Sequence, residues 1–84
     1  MQRLRIPSKV YFPFGYTITV RQVTDKDMLE LAPECDAYWN VGTRTICIRK
    51  ALSIKRRIYL LGHEMTHALA DFQHEFMDSG EAKP

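Results

Sequence analysis

The sequence has little of several features that mark particular protein classes. It contains only two cysteines, Cys35 and Cys47, which do not form a CxxC metal motif and are too few for a disulfide framework. Its apolar stretches fall far short of the roughly 18 apolar residues that a membrane-spanning helix needs. Its net charge of +2 is too small to indicate a nucleic-acid partner by itself. These shortages exclude a disulfide-stapled scaffold and predict no membrane association.

The remaining composition is that of a small globular domain. Hydrophobic residues make up 45% of the chain and charged residues 26%. The basic N-terminal residues are not followed by the apolar region of a signal peptide, so we expect a cytoplasmic protein. No repeat or linker interrupts residues 1–84, which we interpret as a single minimal domain. A chain of this size buries only about 60% of its unfolded surface, which favours help from a metal, a partner chain or tight packing.

The first half of the chain carries strand and turn signals. Residues 1–15 contain Pro7, Pro13 and Gly15, and they predict an extended arm followed by a turn. Alternation and β-branched residues predict a strand over residues 16–23. The next segments predict a short helix over residues 25–31 capped by Thr24 or Asp25, and a β-hairpin made of residues 36–40, a turn at 40–43 and residues 44–49. Within this hairpin, Cys47 is expected to be a small core residue.

The second half predicts one long helix that begins after Ser53 as its N-cap. Apolar residues recur at steps of three and four, which indicates one buried face. They are Ile54, Ile58, Leu61, Met65, Leu69, Phe72 and Phe76. Metal-ligand residue types fall on nearly the opposite side: His63, His67, Asp71, His74 and Asp78. We therefore predict an α+β fold, in which a small, mostly antiparallel sheet of about three strands packs on one long C-terminal helix.

The segment from His63 to His67 is an HExxH motif. Two histidines four residues apart on a helix lie roughly 6 Å apart along its axis, so both imidazoles can reach one zinc ion. The glutamate between them, Glu64, lies near the open position of such a metal. There it can take a proton from zinc-bound water that attacks a peptide carbonyl and pass the proton to the leaving amine. The motif predicts Zn²⁺ as cofactor, His63 and His67 as its ligands and Glu64 as general base.

Residues 61–72, Leu-Gly-His-Glu-Met-Thr-His-Ala-Leu-Ala-Asp-Phe, resemble the active-site helix of zincin metallopeptidases. Thr66 before the second histidine and the Ala-x-x-Asp-aromatic sequence after it are similar to thermolysin-like gluzincins. The wider arrangement, with a Thr-Ile-Cys-Ile strand and a short loop before the helix, resembles small zincins of the ImmA/IrrE kind, which phages and mobile elements often encode. The resemblance covers about residues 36–76.

This resemblance implies a zinc-dependent peptide hydrolase in which His63 and His67 bind the metal and Glu64 is the general base. It also implies that the strand near Ile46 and Ile48 forms a sheet edge along which an extended peptide or protein substrate pairs. It does not indicate the substrate itself or the oligomeric state.

A catalytic zinc ion needs a third protein ligand, and here the sequence departs from the family pattern. Gluzincins usually take a glutamate from a second helix well downstream, and the residues after His67 are too few for one. The third histidine of metzincins is also missing, because Gln73 stands in its place. The alternatives that remain open are Glu81, Asp78, Glu75, His74 or Asp71, another chain, or no third protein ligand at all.

Two other function classes compete with the peptidase. The first is a binding or regulatory module that keeps the zincin fold, with or without zinc, but cleaves nothing; the short tail after His67 favours it. The second is a small basic nucleic-acid-binding protein that uses Lys50, Lys55, Arg56 and Arg57 at the start of the long helix. Such a cluster is more often the solvated start of a helix. The sequence therefore favours a peptide or protein partner over nucleic acid.

Overall fold

The computed structural model describes residues 5–76 and shows an α+β fold in which a four-stranded sheet carries helices. In chain order its elements are β1 (Lys9–Tyr11), a 3-10 turn (Pro13–Gly15), β2 (Thr17–Val23), α1 (Asp25–Leu31), β3 (Ala37–Asn40), β4 (Thr45–Arg49) and α2 (Ile54–Phe76). The predicted fold class is confirmed. The sheet has one strand more than expected, because β1 lies in the segment predicted as an extended arm.

The sheet is mixed, with the strand order β1-β2-β4-β3. The pairs β1–β2 and β3–β4 are antiparallel, whereas β2 and β4 are parallel, with Val20 opposite Ile46. Parallel strands need a crossover connection, and α1 together with β3 supplies it. The predicted hairpin is therefore present, and its second strand lies in the middle of the sheet.

The two faces of the sheet are covered by different helices. On one face, Ile18, Val20, Ile46 and Ile48 pack with Leu60, Ala68 and Phe72 of α2. On the other face, Val23 and Cys47 pack against Met28 of α1. Cys47 is buried as expected, and both cysteines are unpaired. Because helices cover both faces of the sheet, residues that point to either face are buried. This explains why these short strands are rich in β-branched residues.

The position of β4 corrects one expectation. Ile46 and Ile48 were expected to lie on an edge strand, yet β4 is hydrogen-bonded to β2 on one side and to β3 on the other. A strand that is paired on both sides has no free backbone groups for an incoming peptide. In the described part of the chain, the edges of the sheet are β1 and β3.

The buried face of α2 is rotated relative to the predicted apolar stripe. Its buried residues are Leu60, Glu64, Ala68 and Phe72, whereas Leu69, expected to be in the stripe, is 45% exposed. Ala68 lies on the buried face, and Leu69, the next residue, lies about 100° further around the helix and so points away from the sheet. Neither α1 nor α2 is long and apolar enough to cross a bilayer.

Candidate metal centre

His63 and His67 lie side by side on the exposed surface of α2. The centroids of their rings are 5.3 Å apart and the ring planes are inclined by 77°. Between them, the hydroxyl of Thr66 donates to the carbonyl of His63 at 2.6 Å, so this side chain folds back on the helix. Two exposed imidazoles at this spacing are the predicted arrangement for two ligands of one zinc ion.

Glu64 occupies a different surface of the helix from the two histidines. Successive residues turn by about 100°, which directs Glu64 towards the sheet, between Leu60 and Ala68. Its side chain is buried, with 9% exposure, and it makes no hydrogen bond within residues 5–76. No fully buried polar side-chain atom in that range lacks a partner, so the carboxylate keeps contact with solvent. Glu64 is thus a carboxylate in an apolar setting that water can still reach.

The edge strand β3 runs alongside the motif. Before β3, Asp36 lies 3.9 Å from the guanidinium of Arg56, and within β3 the indole Nε1 of Trp39 donates to Asp71 Oδ2 at 2.5 Å. Arg56 precedes His63 by about two helical turns, so the two residues share one flank of α2. The histidines therefore project from the flank of α2 that faces β3.

The backbone of β3 has a free side that the pairing with β4 defines. The amide of Arg49 donates to the carbonyl of Asp36 at 2.9 Å, which makes these two residues a hydrogen-bonded antiparallel pair. Since such pairs alternate along a ladder, the backbone groups of Tyr38 bond to β4. The N–H and C=O groups of Ala37 and Trp39 then point away from the sheet, on the free edge.

The third ligand is not found among the described residues, where no group of three metal-ligating side chains occurs. Asp71 accepts from Trp39, and Glu75 forms a two-pronged pair with Arg44 at 3.0 and 3.2 Å. His74 lies on the histidine flank, but it is about 10 Å beyond His67 along the axis. Asp78 and Glu81 lie outside the described residues. Residues 5–76 thus provide two of the ligands that a zinc ion needs.

One polar cluster near the end of α2 could not be identified from the sequence. The Arg44 guanidinium stacks on the Tyr16 ring at 4.0 Å and pairs with Glu75. Burial raises the pKa of the Tyr16 hydroxyl, Arg44 partly opposes this rise in pKa, and Asp71 and Glu75 add to it. Tyr16, Arg44 and Trp39 come from three different segments, and their contacts depend on the tertiary fold.

The basic cluster at the start of α2 is partly occupied by contacts within the chain. Arg57 donates to the carbonyl of Leu52 at 2.9 Å and to the side chain of Gln22. Arg56 lies near Asp36 and over the Tyr59 ring, at 5.4 Å from its centroid. Lys50, Lys55 and Arg56 all remain exposed, which is typical of a solvated helix start.

Comparison of the chain with protein families, with curated proteins and with solved structures finds no match.

Proposed function

We propose that this chain is a zinc-dependent metallopeptidase of the zincin type that acts in the cytoplasm. The observation that carries the proposal is the exposed His63–His67 pair, with its rings 5.3 Å apart beside the free edge of β3. Both cysteines are unpaired, which is typical of proteins of reducing compartments.

His63 and His67 would hold the zinc ion through their exposed imidazoles. When bound, the metal would supply Lewis-acid activation of water and of the scissile carbonyl. Glu64 would accept the proton of the attacking water on its carboxylate and deliver it to the leaving amine.

The substrate in this proposal is an extended peptide or protein segment that adds to β3. The outward-pointing backbone groups of Ala37 and Trp39 would pair with it, as in other cases where a peptide extends a sheet. Because β3 lies along the histidine flank of α2, a peptide bound there would pass the metal pair. This arrangement replaces β4 with β3 as the strand that receives the substrate.

The test combines metal content with turnover. We expect the wild-type chain to hold zinc and His63→Ala to lose it, whereas Gln73→Ala, an exposed neighbour on α2, retains it. Glu64→Gln is expected to keep the metal and to lower cleavage of unstructured peptides by about 100-fold or more, as loss of a general base does. Glu30→Gln on α1 is the matched control. Equal cleavage by wild type and Glu64→Gln would overturn the proposal.

A non-catalytic zincin-fold binding module is the second candidate, and the burial of Glu64 favours it. A carboxylate with 9% exposure on the sheet-facing side of α2 can serve packing alone. This alternative expects zinc binding that needs His63 and His67, together with peptide binding at β3 and no cleavage in any variant. Binding of nucleic acid that weakens steeply with salt and survives His63→Ala would instead support a role for the basic cluster.

A further inference from the structure

We propose that a second copy of this chain completes the zinc centre by supplying its His74 as the third ligand. The inference rests on the proposed function, because it assumes that His63 and His67 hold zinc. It names a second copy as the partner and His74 as the residue that would supply the third ligand, which the described part of one chain does not provide.

On the described part of α2, His74 is an exposed metal-ligand residue whose side chain forms no hydrogen bond or ion pair. Hydrogen bonds and ion pairs occupy the neighbouring carboxylates, Asp71 with Trp39 and Glu75 with Arg44. His74 lies on the same flank of α2 as His63 and His67, since eleven and seven residues are close to whole numbers of helical turns. Along the axis, however, it is about 10 Å past His67, so it cannot reach a zinc ion that its own chain holds.

In an antiparallel second copy, His74 can come close to a zinc ion that His63 and His67 of the first copy hold. If two α2 helices pack about a two-fold axis between residues 68 and 69, His74 of the second copy lies level with His63 of the first. Ala70 of the second copy then lies level with His67 and leaves room for its imidazole. The symmetry is reciprocal, so the same contact forms twice, as in other two-fold interfaces.

The exposed surface of α2 suits such packing. His63, His67, Ala70 and His74 follow one another at spacings of four, three and four residues, which is the spacing of the seam between paired helices. All four residues are exposed in the described part of the chain. The small residues Ala70 and Thr66 allow helix axes to approach to about 8–10 Å, a separation that imidazoles from both helices can span to a shared zinc ion.

The resulting centre has the composition that the proposed reaction requires. Each zinc ion would have three histidine ligands, two from one chain and one from the other, and the fourth position would stay open as in catalytic zinc sites. The dimer would hold two equivalent centres, so the metal content stays at one zinc per chain.

The deciding experiment uses mixed variants of the full chain. His74→Ala keeps the first two ligands, and the double variant His63→Ala/His67→Ala keeps only the third. We expect wild type to be dimeric with zinc and monomeric with a chelator, measured by sedimentation velocity. Each variant alone should be monomeric and bind zinc at least tenfold more weakly. An equimolar mixture should form a heterodimer that binds one zinc with wild-type affinity, because one complete centre is restored. Gln73→Ala is the matched control and should dimerise as wild type does.

The outcomes separate this inference from the proposed function. One zinc per chain in a monomer, unaffected by His74→Ala, would overturn the second-copy ligand and leave the peptidase proposal standing; loss of that zinc in Asp78→Ala or Glu81→Ala would then locate the ligand within the chain. Failure of the mixture to restore binding would also overturn it. A zinc-linked dimer that cleaves no peptide would support the inference and contradict the peptidase. A wild-type chain that binds no zinc would overturn both.

Discussion

Trp39 on the edge strand and Asp71 on the long helix are joined by a hydrogen bond of 2.5 Å from the indole Nε1 to the carboxylate Oδ2. Asp71 follows His67 by one helical turn, so this bond ties β3 to α2 beside the histidine pair. A donor paired with an ionised acceptor makes one of the stronger hydrogen bonds found in proteins. The relative position of the proposed substrate edge and the metal ligands therefore depends on this contact.

Removing the Asp71 carboxylate should destabilise the fold by about 2 kcal/mol, because the part-buried indole N–H loses its charged partner. We expect this loss for Asp71→Ala, measured as the change in free energy of unfolding in urea. Trp39→Phe removes the donor, and the double variant should lose clearly less than the two single losses combined. Strictly additive losses in this cycle would show that the bond contributes nothing to stability.

Arg49 should be intolerant even of lysine. Its side chain is only 15% exposed, and its guanidinium donates to Asp25, to the carbonyl of Cys35 and to that of Pro33 at 3.0, 3.0 and 3.2 Å. An ammonium group cannot reproduce this planar fork, so we expect Arg49→Lys to cost about 2 kcal/mol of unfolding free energy. Arg21→Lys, at an exposed position on β2, should change it by less than about 0.5 kcal/mol. Equal effects of the two substitutions on the urea midpoint would contradict this role.

Stability should fall at alkaline pH in a way that depends on Tyr16. Burial raises the pKa of this hydroxyl, partly opposed by Arg44 and reinforced by Asp71 and Glu75. The folded state thus favours the neutral phenol, which adds to the free energy of unfolding. This added stability is complete below the unfolded tyrosine pKa of about 10, and it is lost as the pH rises through the higher pKa of the folded state.

The measurement is the urea midpoint at about pH 8 and about pH 10.5, on either side of the ordinary tyrosine pKa. Wild type should lose more stability between these values than Tyr16→Phe, whereas Tyr59→Phe at an exposed position should behave as wild type. Burial also raises the pKa of the Cys47 thiol, whose alkaline loss is common to all three proteins and cancels in the comparison. The same pH dependence in Tyr16→Phe and wild type would refute this assignment.

Gly62→Ala should stabilise the metal-free chain by about 1 kcal/mol, the difference in helix propensity between the two residues. A Cβ atom at this position meets no atom within 4 Å, so nothing opposes the gain. The matched change is Ala70→Gly at an exposed site of the same helix, which should destabilise by a similar amount. Thermal unfolding in the presence of a chelator measures both shifts, and a lower midpoint for Gly62→Ala would contradict the prediction.

Elements with local signals were predicted well from the sequence. The hydroxyls of Thr24 and Ser53 accept from the backbone amides of Asp27 and Arg56, each at 3.1 Å, so both predicted helix caps are confirmed. The strand over residues 16–23 and the hairpin are also present. These features follow from a few neighbouring residues, which is why a sequence pattern finds them.

Features that depend on how elements meet were missed. The strand β1 is only three residues long, and prolines on both sides hide it. The parallel insertion of β2 beside β4 moved the free edge to β3, and no local pattern specifies that order. Likewise, helical periodicity placed Leu69 within the apolar stripe and Leu60 outside it, whereas contact with the sheet buries Leu60 and leaves Leu69 exposed. The His63–His67 pair was identified because its spacing lies within a single helix, whereas Trp39–Asp71 joins separate elements.

The parallel pairing of β2 with β4 also has a consequence for how the chain folds. The hairpin and α2 contain contacts between near neighbours, which form quickly. By contrast, pairing Thr19 with Thr45 requires closure of the whole intervening segment before any compensating contact is made. We therefore expect this closure, not helix formation, to limit the folding rate, as topologies with distant contacts generally do. The two imidazoles of α2 would then be in register on a nascent helix before the central strands meet, so metal capture can precede completion of the sheet.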